Sequence, residues 1–203
     1  MNNADESTHL LADDAPQGMD TAYDVGHDGA GAQTAAQTPA AQRIRIVRLP
    51  TQLTQIELIV PYALVAEITE VILPEGETHL GRLDAAQVEW RGQRVPLVSL
   101  EAMLNEPLPT IGQRVRCAVL YGTNPDIALP YYAILLSGVP RSEELLADSF
   151  SDERFAEGSL WHKTAELAGR RIAVPDIGLL ETRIDEMRLR FERDMSHPGQ
   201  PSL

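Results

Sequence analysis

The sequence predicts a mainly β fold, a small barrel or sandwich finished by one helix, and three observations carry the prediction. Apolar stretches of strand length recur roughly every ten residues, Gly and Pro separate them, and only the last stretch, Gly178 to Met195, has helical periodicity. A doubly wound α/β sheet would instead alternate its strands with full-length helices. The chain has 203 residues, enough for one domain with a sizeable core and too few for two ordinary ones.

Residues 1–42 are rich in Ala, Gln, Asp, Gly and Thr and are expected to form a disordered acidic leader, because they offer too little apolar surface to offset the entropy of ordering. Order is expected from Arg43. RIRIVRL alternates charged and apolar residues, QIELIVP puts Ile56, Leu58 and Val60 on one face, and YALVAEITEVIL continues as an extended or mixed segment. Pro74-Glu75-Gly76 is a turn, followed by a looser stretch to Ala86. In VEWRGQRVPLVSL, Val88 and Trp90 alternate with Glu89, then Arg91 and Gly92 interrupt and an apolar run leads to Ser99. These features spell a strand, a turn with Gly92 supplying backbone freedom, a second strand and a helix cap, leaving Arg91 and Arg94 displayed. The short helix SLEAML stops before Pro107 and Pro109, and RVRCAVLYG and PYYAILLSGV then flank a Gly122-to-Asp126 turn as a hairpin. RSEELL reads as a helix start, with Glu143 and Glu144 as first-turn acids, and RRIAVPDI reads as the final strand. In the closing helix Leu180, Ile184, Met187 and Phe191 form the apolar stripe, Asp176 lies near the N-terminus, and Glu186 supports Arg190. Packing on the barrel is the expected role of this helix, and partner binding is the alternative.

The formal net charge is −13, of which −7 falls in residues 1–42 and −6 in the rest. Such a chain repels phosphate backbones and anionic lipid, so neither nucleic-acid binding nor membrane-surface binding by bulk electrostatics is expected. A single cysteine, Cys117, excludes an internal disulfide and suits a reducing compartment. Met1 to Ala30 has no basic start followed by an apolar run, and no stretch approaches the ~20 apolar residues that span a bilayer. A cytoplasmic protein is expected.

Catalytic groups are scarce. His9, His27 and His197 lie outside the expected domain, leaving His79 in a loop and His162 beside Trp161, and no pair has metal-ligand spacing. Cys117 alternates with Val115 and Val119, as a core thiol does. Lys163 is the only lysine and no Gly-rich loop accompanies it, which removes a Walker-type phosphate site. No cofactor, metal or catalytic residue is therefore assigned.

VEWRGQRVPLVSLEAML resembles the signature of the CheW-like chemotaxis coupling domain, in which an Asn-Leu-Arg-Gly or Trp-Arg-Gly turn precedes an apolar strand. RVRCAVLYG with PYYAILLSGV is similar to that family's later hairpin, and RRIAVPDIGLLE to its closing strand and helix. LIVPYALVAEI, LPYYAILLSGVPR and AVPDIGLLE look most like the ChpC-type accessory coupling proteins of type IV pilus chemosensory systems. The resemblance implies two SH3-like five-stranded β-barrels side by side, with short helices and a C-terminal amphipathic helix. The coupling domain would span residues 43–192, and residues 193–203 would be a disordered tail.

It also implies a non-enzymatic adaptor linking the cytoplasmic tip of a receptor helical hairpin to the regulatory domain of a CheA-type histidine kinase, and to other CheW-like proteins. Residue by residue, Arg91 and Gly92 match the family's partner-contacting turn, and Val65 and Glu67 match a valine and a glutamate of a neighbouring contact strand. Trp90 is expected as a core residue or groove wall rather than an interface hot spot, although Trp and Arg adjacent on one turn are the types that dominate interfaces. Ala86 stands where the family commonly has glycine, so the loop leading into this strand is expected to differ in shape. Two other readings stay open: a small-ligand-binding or hydrolytic barrel using His79 or His162, and a degenerate coupling domain acting as a spacer or competitor.

Overall fold

The computed structural model describes residues 42–74, 86–151 and 153–196, among which ten strands form two five-stranded sheets. The first sheet joins β1 (Arg43–Leu49), β2 (Glu57–Pro61), β8 (Arg141–Leu146), β9 (Trp161–Leu167) and β10 (Arg170–Pro175), in the order β8-β1-β2-β10-β9. The second joins β3 (Val65–Ile72), β4 (Ala86–Trp90), β5 (Gln93–Val98), β6 (Arg114–Tyr121) and β7 (Tyr131–Leu136), in the order β3-β6-β7-β5-β4. Each sheet has one parallel pair, β2 with β10 and β5 with β7, and its other pairs are antiparallel. Matching the two patterns sets β3 to β7 against β8, β9, β10, β1 and β2. The same unit thus occurs twice, once with its strand order circularly shifted. Helix α1 (Leu100–Met103) follows β5, and α2 (Ile177–Ser196) follows the equivalent β10.

Alternation along the central strands explains their nearly unbroken apolar runs. On β6, Val115, Cys117 and Val119 fill the interior of the second sheet, while Ala118 and Leu120 enter a core shared with the first. On β1 and β2, Ile46 and Ile59 face the interior of the first sheet, while Val47, Leu49, Leu58 and Val60 enter the shared core. Strands covered on both faces lose the polar half of the usual alternation. Leu180 and Ile184 of α2 are fully buried in this shared core, Met187 is half-buried, and the side chain of Phe191 lies outside the described residues. The expectation of two five-stranded β units, short helices and a closing helix that packs as structure is met.

Two segments depart from the sequence reading. RSEELL is strand β8, not a helix start, and Glu143 and Glu144 stand opposite Ile46 and Arg45 of β1. Their charges pair across strands, Arg48 with Glu143 at 2.9 Å and Arg43 with Glu144 at 3.5 Å, so the acids serve an edge strand and not a helix dipole. WHKTAEL, given no element from the sequence, is β9, and buries Thr164 and Ala165. Helix α2 runs to Ser196, past Glu192, where the domain was expected to end. The acidic leader and residues 197–203 lie outside the described residues.

Two buried carboxylates tie the units together reciprocally. Glu101 of α1, which follows β5 of the second sheet, accepts the amide of Gln52 in the β1–β2 connection at 2.6 Å. Glu181 of α2, which follows β10 of the first sheet, accepts the amides of Thr123 and Asn124 in the β6–β7 connection, both at 2.8 Å. Each is about 1% exposed. Both helices are capped as read: the Ser99 hydroxyl accepts from the Ala102 amide and the Asp176 carboxylate from the Leu179 amide.

Candidate functional site

The β4–β5 hairpin turns on Arg91 at φ 48° and Gly92 at φ 74°, the pair of left-handed residues that defines a type I′ turn. Such a turn matches strand twist and holds the hairpin tip in one register, with Trp90 opposite Gln93. Arg91 projects from it with its side chain 67% exposed. Trp90, at the last β4 position, is buried at 7%.

Glu67 joins the two. The Trp90 indole nitrogen donates to Glu67 Oε2 at 3.0 Å, and an Arg91 guanidinium nitrogen reaches the same oxygen at 2.8 Å. The Arg91 guanidinium also lies 4.9 Å from the Trp90 ring centroid, within cation–π range. Behind Trp90 the aromatic contacts continue to Tyr131, at 4.9 Å between centroids, and on to Tyr121, at 5.6 Å, which is 45% exposed. The aromatic run was not legible in the sequence as one surface, because β4, β6 and β7 meet only through the sheet. Period-two spacing on the two strands of the β6–β7 hairpin could have paired Tyr121 with Tyr131, which are register partners.

A β-bulge at Ala66 separates Val65, paired with Leu120, from Glu67, paired with Val119. Bulges re-aim side chains at sheet edges, and β3 is an edge strand. Val65 and Glu67 both line a cavity of about 300 Å³ together with Tyr62, Ile68, Val47 and Pro140. Tyr62 and Ile68 are 46% and 38% exposed, an apolar patch at the junction of the two sheets. The Arg45 guanidinium covers the Tyr62 ring at 4.1 Å. The site is thus an apolar groove with a guanidinium over its tyrosine and a carboxylate–guanidinium–indole cluster beside it. Such a surface suits an amphipathic helix laid in the groove with a polar group on Arg91.

The sequence-derived residues are therefore gathered: Trp90, Arg91 and Glu67 touch one another, Gly92 shapes the turn, and Val65 lines the adjoining groove. Val65 also packs on the shared core, so it has a structural role as well. Ala86 is fully buried as the first residue of β4, opposite Leu97, and the loop before it lies outside the described residues. His79 lies outside them too. His162 is exposed on β9 and lines a different, open cleft. Among the described residues no three His, Cys, Asp or Glu side chains are grouped to hold a metal, and no helix is long and apolar enough to cross a membrane. Burial, with the Glu67 charge adding to it, pushes the Cys117 thiol up to about 12, which keeps it protonated and unreactive.

No protein-family model matches the sequence, and no curated protein matches it. Among solved structures the chain is similar to the crystal structure of the scaffolding protein TtCheW from Thermoanaerobacter tengcongensis, at 10% sequence identity and a TM-score of 0.49, covering 66% of this chain and 90% of that one. The two-sheet architecture is defined by this chain's own strand pairing.

Proposed function

We propose that this chain is a cytoplasmic, non-catalytic coupling adaptor that joins chemoreceptor tips to a CheA-type histidine kinase, in a chemosensory system controlling type IV pilus twitching motility. The observation that carries the reading is the shared Glu67 carboxylate. It gathers Trp90 and Arg91, from the segment that resembles the coupling-domain signature, with the strand that supplies Val65, beside an apolar groove. Arg91, exposed beside this partly apolar surface, is of a residue type that dominates protein interfaces, and the buried Trp90 backs it. The pilus assignment and the ChpC-type subgroup rest on sequence resemblance in LIVPYALVAEI, LPYYAILLSGVPR and AVPDIGLLE. The coupling domain is assigned to residues 43–192, with an acidic leader before it, and α2 carries its closing helix on to Ser196 before the short tail.

Affinity capture of the full chain from its native cells at moderate salt tests the proposal. The wild type is expected to retain a CheA-type kinase and receptor fragments, and Arg91→Glu to lose at least about tenfold of that retention while keeping its circular dichroism spectrum. Equal retention by the variant refutes the role of the turn. Absence of any kinase from the wild-type capture refutes the adaptor reading.

A further inference from the structure

We propose that an arginine-lined cavity on the first sheet is a docking site for an acidic segment of a partner protein, which sets a carboxylate on Arg141 and Arg170 and an apolar neighbour on Val139. The cavity, of about 490 Å³, lies where β1, the β1–β2 connection, the start of β8 and the β9–β10 hairpin meet. Arg48, Arg141 and Arg170 line it, against one lining carboxylate, Glu57. In a chain of net charge −13 this lining has the opposite sign.

The arrangement is unbalanced without an anion. Arg48 and Arg141 are direct cross-strand partners on β1 and β8, a like-charge pair that opposes strand pairing. Glu57 and Glu143 occupy Arg48, and Glu57 also holds Arg170. Arg141 is exposed and has no ion-pair partner among the described residues. Thr51 lines the same cavity, and its hydroxyl is buried without a hydrogen-bond partner. At the rim, Val139 is 71% exposed, more than any other large apolar side chain among the described residues. A free guanidinium and an apolar lip match a carboxylate followed by a hydrophobic residue. The exposed Val139 beside the arginines favours a carboxylate carried on an apolar segment over a small inorganic anion. Arg141 opens β8, the edge strand of its sheet, which leaves room for an extended segment alongside.

Fluorescence anisotropy of the full chain with a fluorescein-labelled peptide of alternating glutamate and leucine tests this. The wild type is expected to bind, more weakly at high salt. Arg141→Glu should lower affinity by about tenfold or more and Val139→Ser by about threefold, whereas Arg91→Glu should leave it unchanged. Arg141→Gln replaces the reversal should that variant fold poorly, with a loss of about fivefold expected. Failure of the wild type to bind at millimolar peptide overturns the proposal, as does wild-type affinity in the folded Arg141 variants. Displacement by inorganic phosphate at matched ionic strength, with Val139→Ser unaffected, overturns it in favour of a small-anion site. The Arg91 control separates this site from the proposed coupling surface.

Discussion

Replacing Glu181 by alanine should destabilise the whole domain by about 3–5 kcal/mol, because the side chain is a buried acceptor shared by three donors. The Thr123 amide, Thr123 hydroxyl and Asn124 amide donate to it at 2.8, 3.0 and 2.8 Å, and its own exposure is 1%. A hydrogen bond to a charged group contributes about 1.5–3 kcal/mol, and each buried amide left unpaired costs about 1–3 kcal/mol. The hydroxyl can turn to another acceptor and water can enter the vacated space, which keeps the sum near the lower ends. Glu181→Gln preserves volume and the oxygen that serves Thr123, but sets an amide donor against the Asn124 amide, so about 1–2 kcal/mol is expected. Urea unfolding reads this well, since Trp90 reports on the second sheet and Trp161 on the first. With a slope of about 2 kcal/mol/M, the alanine variant should shift the midpoint by about 1.5–2.5 M. A shift under about 0.5 M, or a glutamine variant as unstable as the alanine one, would refute donor satisfaction as the basis of the effect.

Glu57 supplies a pH dependence. Burial alone would raise its pKa, but hydrogen bonds and charge from Arg170 and Arg48 outweigh this and hold it below the ordinary 4.5. The unfolded chain therefore takes up the proton first: the stabilisation is whole above about pH 4.5 and is lost as pH falls through the lower folded value. Glu57→Gln should reduce the fall in urea midpoint between neutral pH and about pH 3, and an unchanged fall would count against the network. Cys117, held at about 12 in the fold, should be silent to a thiol-disulfide reagent at neutral pH until the chain is unfolded. Prompt labelling of the native protein would contradict its burial. Gly122→Ala should prevent folding, since its Cβ would fall 1.7 Å from the Leu129 carbonyl oxygen, whereas Gly92→Ala meets no atom within 4 Å. The latter should cost only about 1 kcal/mol of left-handed strain, read as a small drop in melting temperature.

The segments read correctly from the sequence are those whose apolar residues repeat locally. VEWRGQRVPLVSL declared its hairpin and its Ser99 cap because alternation, a turn glycine and a capping hydroxyl fall within a dozen residues. RSEELL and WHKTAEL did not, because edge strands bury few side chains: Leu145 alone is buried on β8. Cross-strand arginine partners on β1 turn Glu143 and Glu144 into strand residues, and no local pattern announces a partner some hundred residues distant. The candidate site divides in the same way. The Arg91-Gly92 turn is local, but its bond to Glu67 spans 23 residues from Trp90 and depends on how β3 bulges at Ala66. The carboxylates Glu101 and Glu181 left no sequence trace because their partners are backbone amides of distant connections.

The duplicated unit supplies an internal control for Arg91. The β9–β10 hairpin turns on Ala168 at φ 51° and Gly169 at φ 72°, nearly the backbone of Arg91 and Gly92 at 48° and 74°. Alanine suffices there, so the turn itself does not require arginine, and Asn before Gly is the pair this geometry favours. Arg91 therefore occupies a position where its backbone is mildly strained and its side chain is largely in water. Its ion pair with Glu67, between groups 67% and 34% exposed, contributes at most about 1 kcal/mol. Arg91→Asn exchanges that pair for a better turn residue, and the two effects should cancel to within about 0.5 kcal/mol. Ala168→Asn, with no ion pair to lose, should stabilise by about 0.5–1 kcal/mol. Urea midpoints of the two variants measure the difference. If Arg91→Asn loses more than about 1.5 kcal/mol, the arginine is a structural residue and its display at the hairpin tip needs no partner to explain it. If stability holds while kinase retention falls, the strained position is kept for what Arg91 binds.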